Sequence, residues 1–138
     1  MKVYAVIDTN VIVSALLTKN KDAATIKVFR AFQEREIKLL YNEEILAEYR
    51  NVLSRPKFHL SASDVFNIVN FVIEEGLPSA RLHSTEFFPD PKDVVFYEVA
   101  LSKENAYLVT GNTRHFPKAP IVVTPAEMVE ILKRAVHR

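Results

Sequence analysis

The stretch Val3-Tyr4-Ala5-Val6-Ile7-Asp8-Thr9-Asn10 decides the fold class. Its five apolar residues fill both faces of one short strand, the pattern of a central strand covered on both sides. A carboxylate follows at once, and a helical pattern begins near Asn10. The same order recurs down the chain. A helical stretch runs from about Asp22 to Arg35, with Ile26, Phe29 and Phe32 at helical spacing, and Ile37 to Tyr41 reads as a second strand. Asn42 is placed to cap a helix running to about Ser54, whose apolar face is Ile45, Leu46, Tyr49, Val52 and Leu53. Arg55-Pro56 stops it, because the residue before a proline disfavours the helical region. Ser61-Ala62-Ser63-Asp64 has the form of a capping box and opens a helix to Glu75, with Gly76 as its C′ residue and Pro78 beyond. A weak strand is expected at Arg81 to Ser84. Val94 to Lys103 is apolar nearly all round, so a buried helix is expected there. Ala106 to Val109 and Ile121 to Val123 read as strands. Thr124-Pro125-Ala126-Glu127 is a capping box with proline at the first helical position, opening a last helix that ends near the C-terminus. Strands alternating with helices predict an α/β fold with a mostly parallel sheet. No repeat, low-complexity tract or linker interrupts the chain, so one domain over 1–138 is expected.

Composition narrows the function. The chain has 138 residues, 49% of them hydrophobic, which suffices for a core. Eighteen Lys and Arg against seventeen Asp and Glu leave a net charge of +1. A protein that coats polyanions through bulk charge is excluded, and any nucleic-acid contact must come from a local patch. The lack of cysteine excludes disulfides, thiolate metal sites and cysteine nucleophiles. It is compatible with a reducing cytoplasm, and a cytoplasmic protein without leader or membrane span is expected. With only Gly76 and Gly111 present, no glycine loop can cradle a nucleotide phosphate.

In an open α/β sheet, ligands bind beyond the carboxyl ends of the strands. Asp8, Thr9 and Asn10 follow the first strand directly, and Thr110, Gly111 and Asn112 follow the Ala106–Val109 strand. Asp8 is either a helix cap or a partly desolvated acid that needs a partner. Glu48 lies on the flank of its helix's apolar face, while Glu44, one turn earlier, points further outward. Glu48 is thus the better candidate, against the commoner reading of a solvated glutamate. Asp90 and Asp93 can form a reciprocal cap around Pro91. Alternatively, a helix starting on this edge places Asp93 beside Asp8. His115 is a possible ligand, proton carrier or phosphate contact. Convergent carboxylates without cysteine or a histidine pair point to hard cations, Mg²⁺ or Mn²⁺. Such an ion relieves the repulsion between the acids, binds a phosphate, activates water and stabilises a leaving oxygen. Phosphodiester hydrolysis uses all of these.

These segments together resemble the PIN-domain ribonucleases, specifically the VapC-like toxins of toxin–antitoxin systems. The resemblance is carried by Val6-Ile7-Asp8-Thr9-Asn10-Val11, by Glu44-Ile45-Leu46-Ala47-Glu48-Tyr49, and by Val52-Leu53-Ser54-Arg55-Pro56-Lys57-Phe58. Asp90-Pro91-Lys92-Asp93 and Leu108-Val109-Thr110-Gly111-Asn112-Thr113-Arg114-His115-Phe116 complete it. It implies a three-layer α/β/α domain whose acids bind Mg²⁺ or Mn²⁺ and cut single-stranded RNA. Asp8, Glu48 and Asp93 are then the catalytic acids and the metal ligands, with Glu48 also positioning or deprotonating the attacking water. Thr9, Asn10 and Thr110 would orient the ligands. The chain departs from the family at Asn112, a neutral residue where a fourth acid is common, with His115 nearby. Asn112 and Asp90 are weaker candidate ligands. Products with 5′-phosphate and 3′-hydroxyl ends, a small antitoxin partner and a homodimer or higher oligomer are also implied. Arg55, Lys57, Arg114 and Lys118 are candidate phosphate contacts, and Phe58, Phe66 and Phe71 candidate interface residues.

Two rival readings differ in class. A phosphatase with an aspartyl nucleophile, similar to haloacid-dehalogenase-like enzymes, needs a second acid two residues after Asp8, and that position is Asn10. A degenerate PIN domain that acts as an RNA- or protein-binding scaffold draws its support from Asn112.

Overall fold

The computed structural model describes residues 2–136, with Val136 described by its backbone alone. The expected extent 1–138 also takes in Met1, His137 and Arg138, which lie outside the described residues. Five strands form one sheet: β1 (Val3–Ile7), β2 (Ile37–Tyr41), β3 (Leu77–Pro78), β4 (Tyr107–Val109) and β5 (Val122–Val123). Their order is β3-β2-β1-β4-β5, and every pairing is parallel. Six helices flank the sheet: α1 (Thr9–Leu17), α2 (Ala24–Gln33), α3 (Glu43–Leu53), α4 (Ala62–Glu75), α5 (Val94–Ala100) and α6 (Pro125–Val136). Helix α2 packs on α1 and α6, and α3 packs on α4 and α5. The α/β expectation with sheet and helical layers therefore holds, with a sheet that is parallel throughout.

The central strand behaves as its composition requires. Ala5, Val6 and Ile7 are all but inaccessible, as are Leu39, Leu40, Leu108 and Val109 on the neighbouring strands. The register pairs Ala5 with Leu39 on one side and with Tyr107 on the other. This aligns the carboxyl ends of β1 and β4, so the residues that follow them emerge side by side.

The helix starts are built by the side chains read from sequence. Asn42 Oδ1 accepts from the Ile45 N–H at 2.9 Å. Ser61 and Asp64 cap each other reciprocally at 3.0 and 3.2 Å, and Thr124 and Glu127 do so at 3.1 and 2.8 Å. Each such cap satisfies backbone donors that a helix start leaves orphaned.

Three expectations change. The segment Arg81 to Ser84 is irregular, not a strand. The strand that composition did not announce is β3, Leu77–Pro78, which pairs with Leu40 and Tyr41 at the sheet edge, where a proline is tolerated. Gly76 ends α4, but its backbone is ordinary and extended, with φ −87° and ψ −179°. Space is what demands glycine there: an added Cβ would lie 2.5 Å from the Val72 carbonyl and 2.8 Å from that of Leu39. The helix end is therefore pressed against β2.

Helix α5 is buried from Val95 to Ala100, as its composition predicts, but it ends three residues short of the expected Lys103, and Glu98 is buried with it at 4% exposure. Phe71 is half-buried and packs edge-on against Phe32, with ring centres 5.0 Å apart. Phe58 is partly buried, and Phe66 is 67% exposed. Among the described residues no helix is long and apolar enough to cross a membrane.

Candidate functional site

The chain leaves β1 for β2 on one side and later returns to pair β4 on the other. The sheet's switch point thus lies between β1 and β4, and the crevice beyond it is where open α/β sheets bind ligands. Asp8 enters this crevice from β1 and Thr110 from β4.

Asp8 is 7% exposed. It occupies the N-cap position of α1 yet makes no side-chain capping bond. Its carboxylate turns across the switch point instead, where the Thr110 hydroxyl donates to it at 2.8 Å. The same hydroxyl accepts from the Asn112 N–H at 3.0 Å. Burial raises the Asp8 carboxyl above its ordinary range. The Thr110 bond, the amides of Asn10 and Thr9 and the charge of His115 oppose that rise. An acid is thus held in a place that penalises its charge.

Glu48 reaches the same neighbourhood from α3. Its helix is pinned by Tyr49, whose hydroxyl donates to the Ile7 carbonyl at 2.6 Å, one residue before Asp8. Tyr49 is fully buried, and its ring lies 6.4 Å from that of Phe96 on α5. Glu48 follows on the half-buried flank. Glu44 is exposed and pairs with Arg81 at 2.6 Å, so it faces away as expected.

Asp93 closes a short 3₁₀ turn, Pro91–Asp93, that leads into α5. Half of the reciprocal cap forms: Asp90 accepts from the Lys92 N–H at 2.9 Å. The other half does not, because Asp93 returns no capping bond. Its Oδ2 is buried without a hydrogen-bond partner, and His115 Nδ1 stands 3.5 Å away. Burial, then the charges of Asp8 and Asp90, with a smaller push from Glu48, drive the Asp93 carboxyl up to about 6 against the pull of His115. Asp8, Glu48, Asp90, Asp93 and His115 therefore share one electrostatic neighbourhood. The Asn112 amide contacts the His115 ring at 3.0 Å, joining that position to the group.

The donor set fits a hard divalent cation. Two oxygen acids share one electrostatic neighbourhood, one has an orphaned buried oxygen, and burial pushes both towards neutrality with His115 as the opposing charge. Among the described residues no three His, Asp or Glu side chains form a ready-made cage. An ion that keeps most of its water, as Mg²⁺ does, needs only one or two direct carboxylates. Asp8 and Asp93 would hold it.

Other candidates fall outside this group. The Thr9 hydroxyl is buried without a partner, and Asn10 is exposed; neither side chain bonds to the acids. Arg55 and Lys57 sit exposed beyond the C-terminal end of α3. No hydrogen bond or ion pair joins them to the acids. Arg114 and Lys118 fare better. With Thr113 and Phe116 they line a shallow groove of about 360 Å³ beside His115.

One polar network escaped the sequence reading. Glu98 accepts from Arg81 Nε at 2.5 Å and from the Ser84 N–H at 2.6 Å, and these donors hold its carboxyl below the ordinary range despite burial. The signal that could have found it was a single carboxylate inside an apolar helix, since such a charge must be paired.

No curated protein matches the chain. Residues 4–114 match the PIN domain, a family generally made up of metal-dependent nucleases that use divalent ions, and the chain belongs to that family.

Proposed function

We propose that the chain is a single PIN domain acting as an endoribonuclease that hydrolyses single-stranded RNA with Mg²⁺ or Mn²⁺. The observation that carries this reading is the buried, unpartnered Asp93 Oδ2, whose carboxyl feels the charge of Asp8. A folded protein keeps such an oxygen at a cost, and a bound cation relieves it. Asp8 and Asp93 hold the ion, and Asp90 adds negative charge nearby. Thr110 orients Asp8 through its hydroxyl, as partners of metal ligands do. When bound, the ion supplies positive charge to the phosphodiester oxygens and to the water that attacks them. Glu48 positions that water and takes its proton. The P–O3′ bond breaks and the departing 3′-oxygen takes a proton from solvent water, so products carry 5′-phosphate and 3′-hydroxyl ends. Arg114 and Lys118 hold flanking phosphates.

The resemblance extends this reading to a cytoplasmic toxin, held in check by a small antitoxin and assembling as a homodimer. Exposed Phe66 on α4 offers apolar area for such an interface.

The test is cleavage of end-labelled single-stranded RNA by metal-stripped protein, with Mg²⁺ or Mn²⁺ added back. Metal-dependent cleavage is expected, falling more than about 100-fold in Asp8→Asn, as for loss of a group central to charge stabilisation. One other reading has an observation in its favour. Neutral Asn112, with no three-acid cage among the described residues, suits a scaffold that binds RNA or protein without cutting. Metal-independent RNA binding without cleavage by wild-type protein would establish that reading instead.

A further inference from the structure

Between β3 and the Pro91–Asp93 turn the chain runs irregularly over residues 79–90. Long irregular runs beside a site carry function more often than they carry stability. This one is firmly tethered. The Leu82 N–H donates to the Glu98 carbonyl at 3.0 Å, Arg81 and the Ser84 N–H bind the buried Glu98 carboxylate, and the Glu86 N–H donates to Ser84 Oγ at 3.1 Å. At the other end Phe88 is inserted edge-on between Tyr97 and Phe116, at 5.6 and 6.2 Å between ring centres.

Phe87 lies between these tethers and is 83% exposed, the most exposed large apolar side chain among the described residues. Its neighbour Phe88 takes the inward position, so Phe87 is turned out to solvent. The place is close to the acids. Phe116, against which Phe88 packs, directly follows His115, and His115 faces Asp93. Exposed cations stand in the neighbouring turns, Lys92 in Pro91–Asp93 and Arg114 in Thr113–His115.

We propose that Phe87 is a stacking platform for an unpaired base next to the scissile phosphodiester. The inference rests on the nuclease reading above and adds to it how the substrate is recognised. An aromatic face binds a base only when that base is free of its own stack, so the platform selects single strands over duplex. Every base has a π-face, so it imposes little sequence preference. Because both flanks of the ring are anchored, little ordering entropy is lost on binding.

The chain has no tryptophan, so Phe87→Trp introduces a unique fluorophore. Binding is measured in an Asp8→Asn background with Mg²⁺, using a short single-stranded RNA and the duplex of the same sequence. In the Phe87→Trp protein the single strand should quench the indole emission saturably, and the duplex should not. Phe87→Ala should weaken single-strand binding roughly five- to a hundredfold, the scale of losing one stacked base. The salt dependence should stay unchanged, because the ring neutralises no phosphate. In the otherwise wild-type protein Phe87→Ala should raise KM and leave kcat nearly unchanged. Phe87→Ala binding within about twofold of the parent, or equal quenching by duplex, overturns the platform. Unchanged RNA binding with loss of binding to a protein partner would assign the ring to that partner instead. Cleavage that ignores Phe87 sinks the platform and leaves the nuclease reading standing. Phe87-dependent binding by a protein that never cleaves supports the platform and removes the hydrolase.

Discussion

A carboxylate oxygen buried without a donor makes Asp93 the most informative single residue. Its folded-state carboxyl titrates at about 6, against about 4 in an unfolded chain. The folded protein therefore holds a proton over an interval where the unfolded chain has released it. This residue's contribution favours folding in acid and is lost as pH rises through about 6. In EDTA, Asp93→Asn should melt a few degrees above wild type at about pH 7.5, and the gap should close towards about pH 4.5. Parallel melting curves across that range would show that Asp93 is adequately solvated. The residue scale is also where sequence reading was least complete. That Asp8 and Thr110 emerge together at the sheet's carboxyl edge was legible from their places after two strands. Glu98 was not, because its role depends on Arg81 and Ser84, which reach it from a distant irregular segment.

Among the elements, α4 and β3 show how close packing changes what a residue is for. Gly76 looks like a helix terminator, yet its backbone asks for no special conformation. The glycine leaves room for the Val72 and Leu39 carbonyls. Gly76→Ala should thus destabilise the protein by about 2–3 kcal/mol, the upper range for overpacking, because the obstructing atoms are backbone and cannot swing aside. Urea denaturation measures it; a loss below about 0.5 kcal/mol would show that α4 shifts freely. Helix α3 is fixed differently, by one hydroxyl bond from Tyr49 to the end of β1. The capping residues of α3, α4 and α6 were readable because capping is local. The strand at Leu77–Pro78 was hidden because two residues beside a proline carry no periodic signal, and only β2 makes them a strand.

For the whole molecule, Asp8 and Thr110 meet because the strand order reverses at β1. Asp8 and Asp93 belong to different elements, so the cation proposed between them would tie those elements together. Ligand bound only by the folded state stabilises it by mass action, about 2.7 kcal/mol at a hundredfold excess over Kd. Mn²⁺ should accordingly raise the melting temperature of the metal-stripped protein at about pH 7.5 in a concentration-dependent way. The rise should disappear in both Asp8→Asn and Asp93→Asn. A rise that survives in both variants would place the ion elsewhere on the surface.

Residue order alone was enough for the alternation of strands and helices, the caps that start three helices, the buried character of β1 and α5, and the family to which these pieces belong. Each of those is a local or periodic property, expressed over one turn of helix or one pleat of strand. Packing in three dimensions was needed to leave Asp93 Oδ2 buried without a partner beside His115, and to tether the run 79–90 to a buried glutamate. Those outcomes depend on which atoms become neighbours after residues far apart in the chain are packed together, and on what burial then does to their charge.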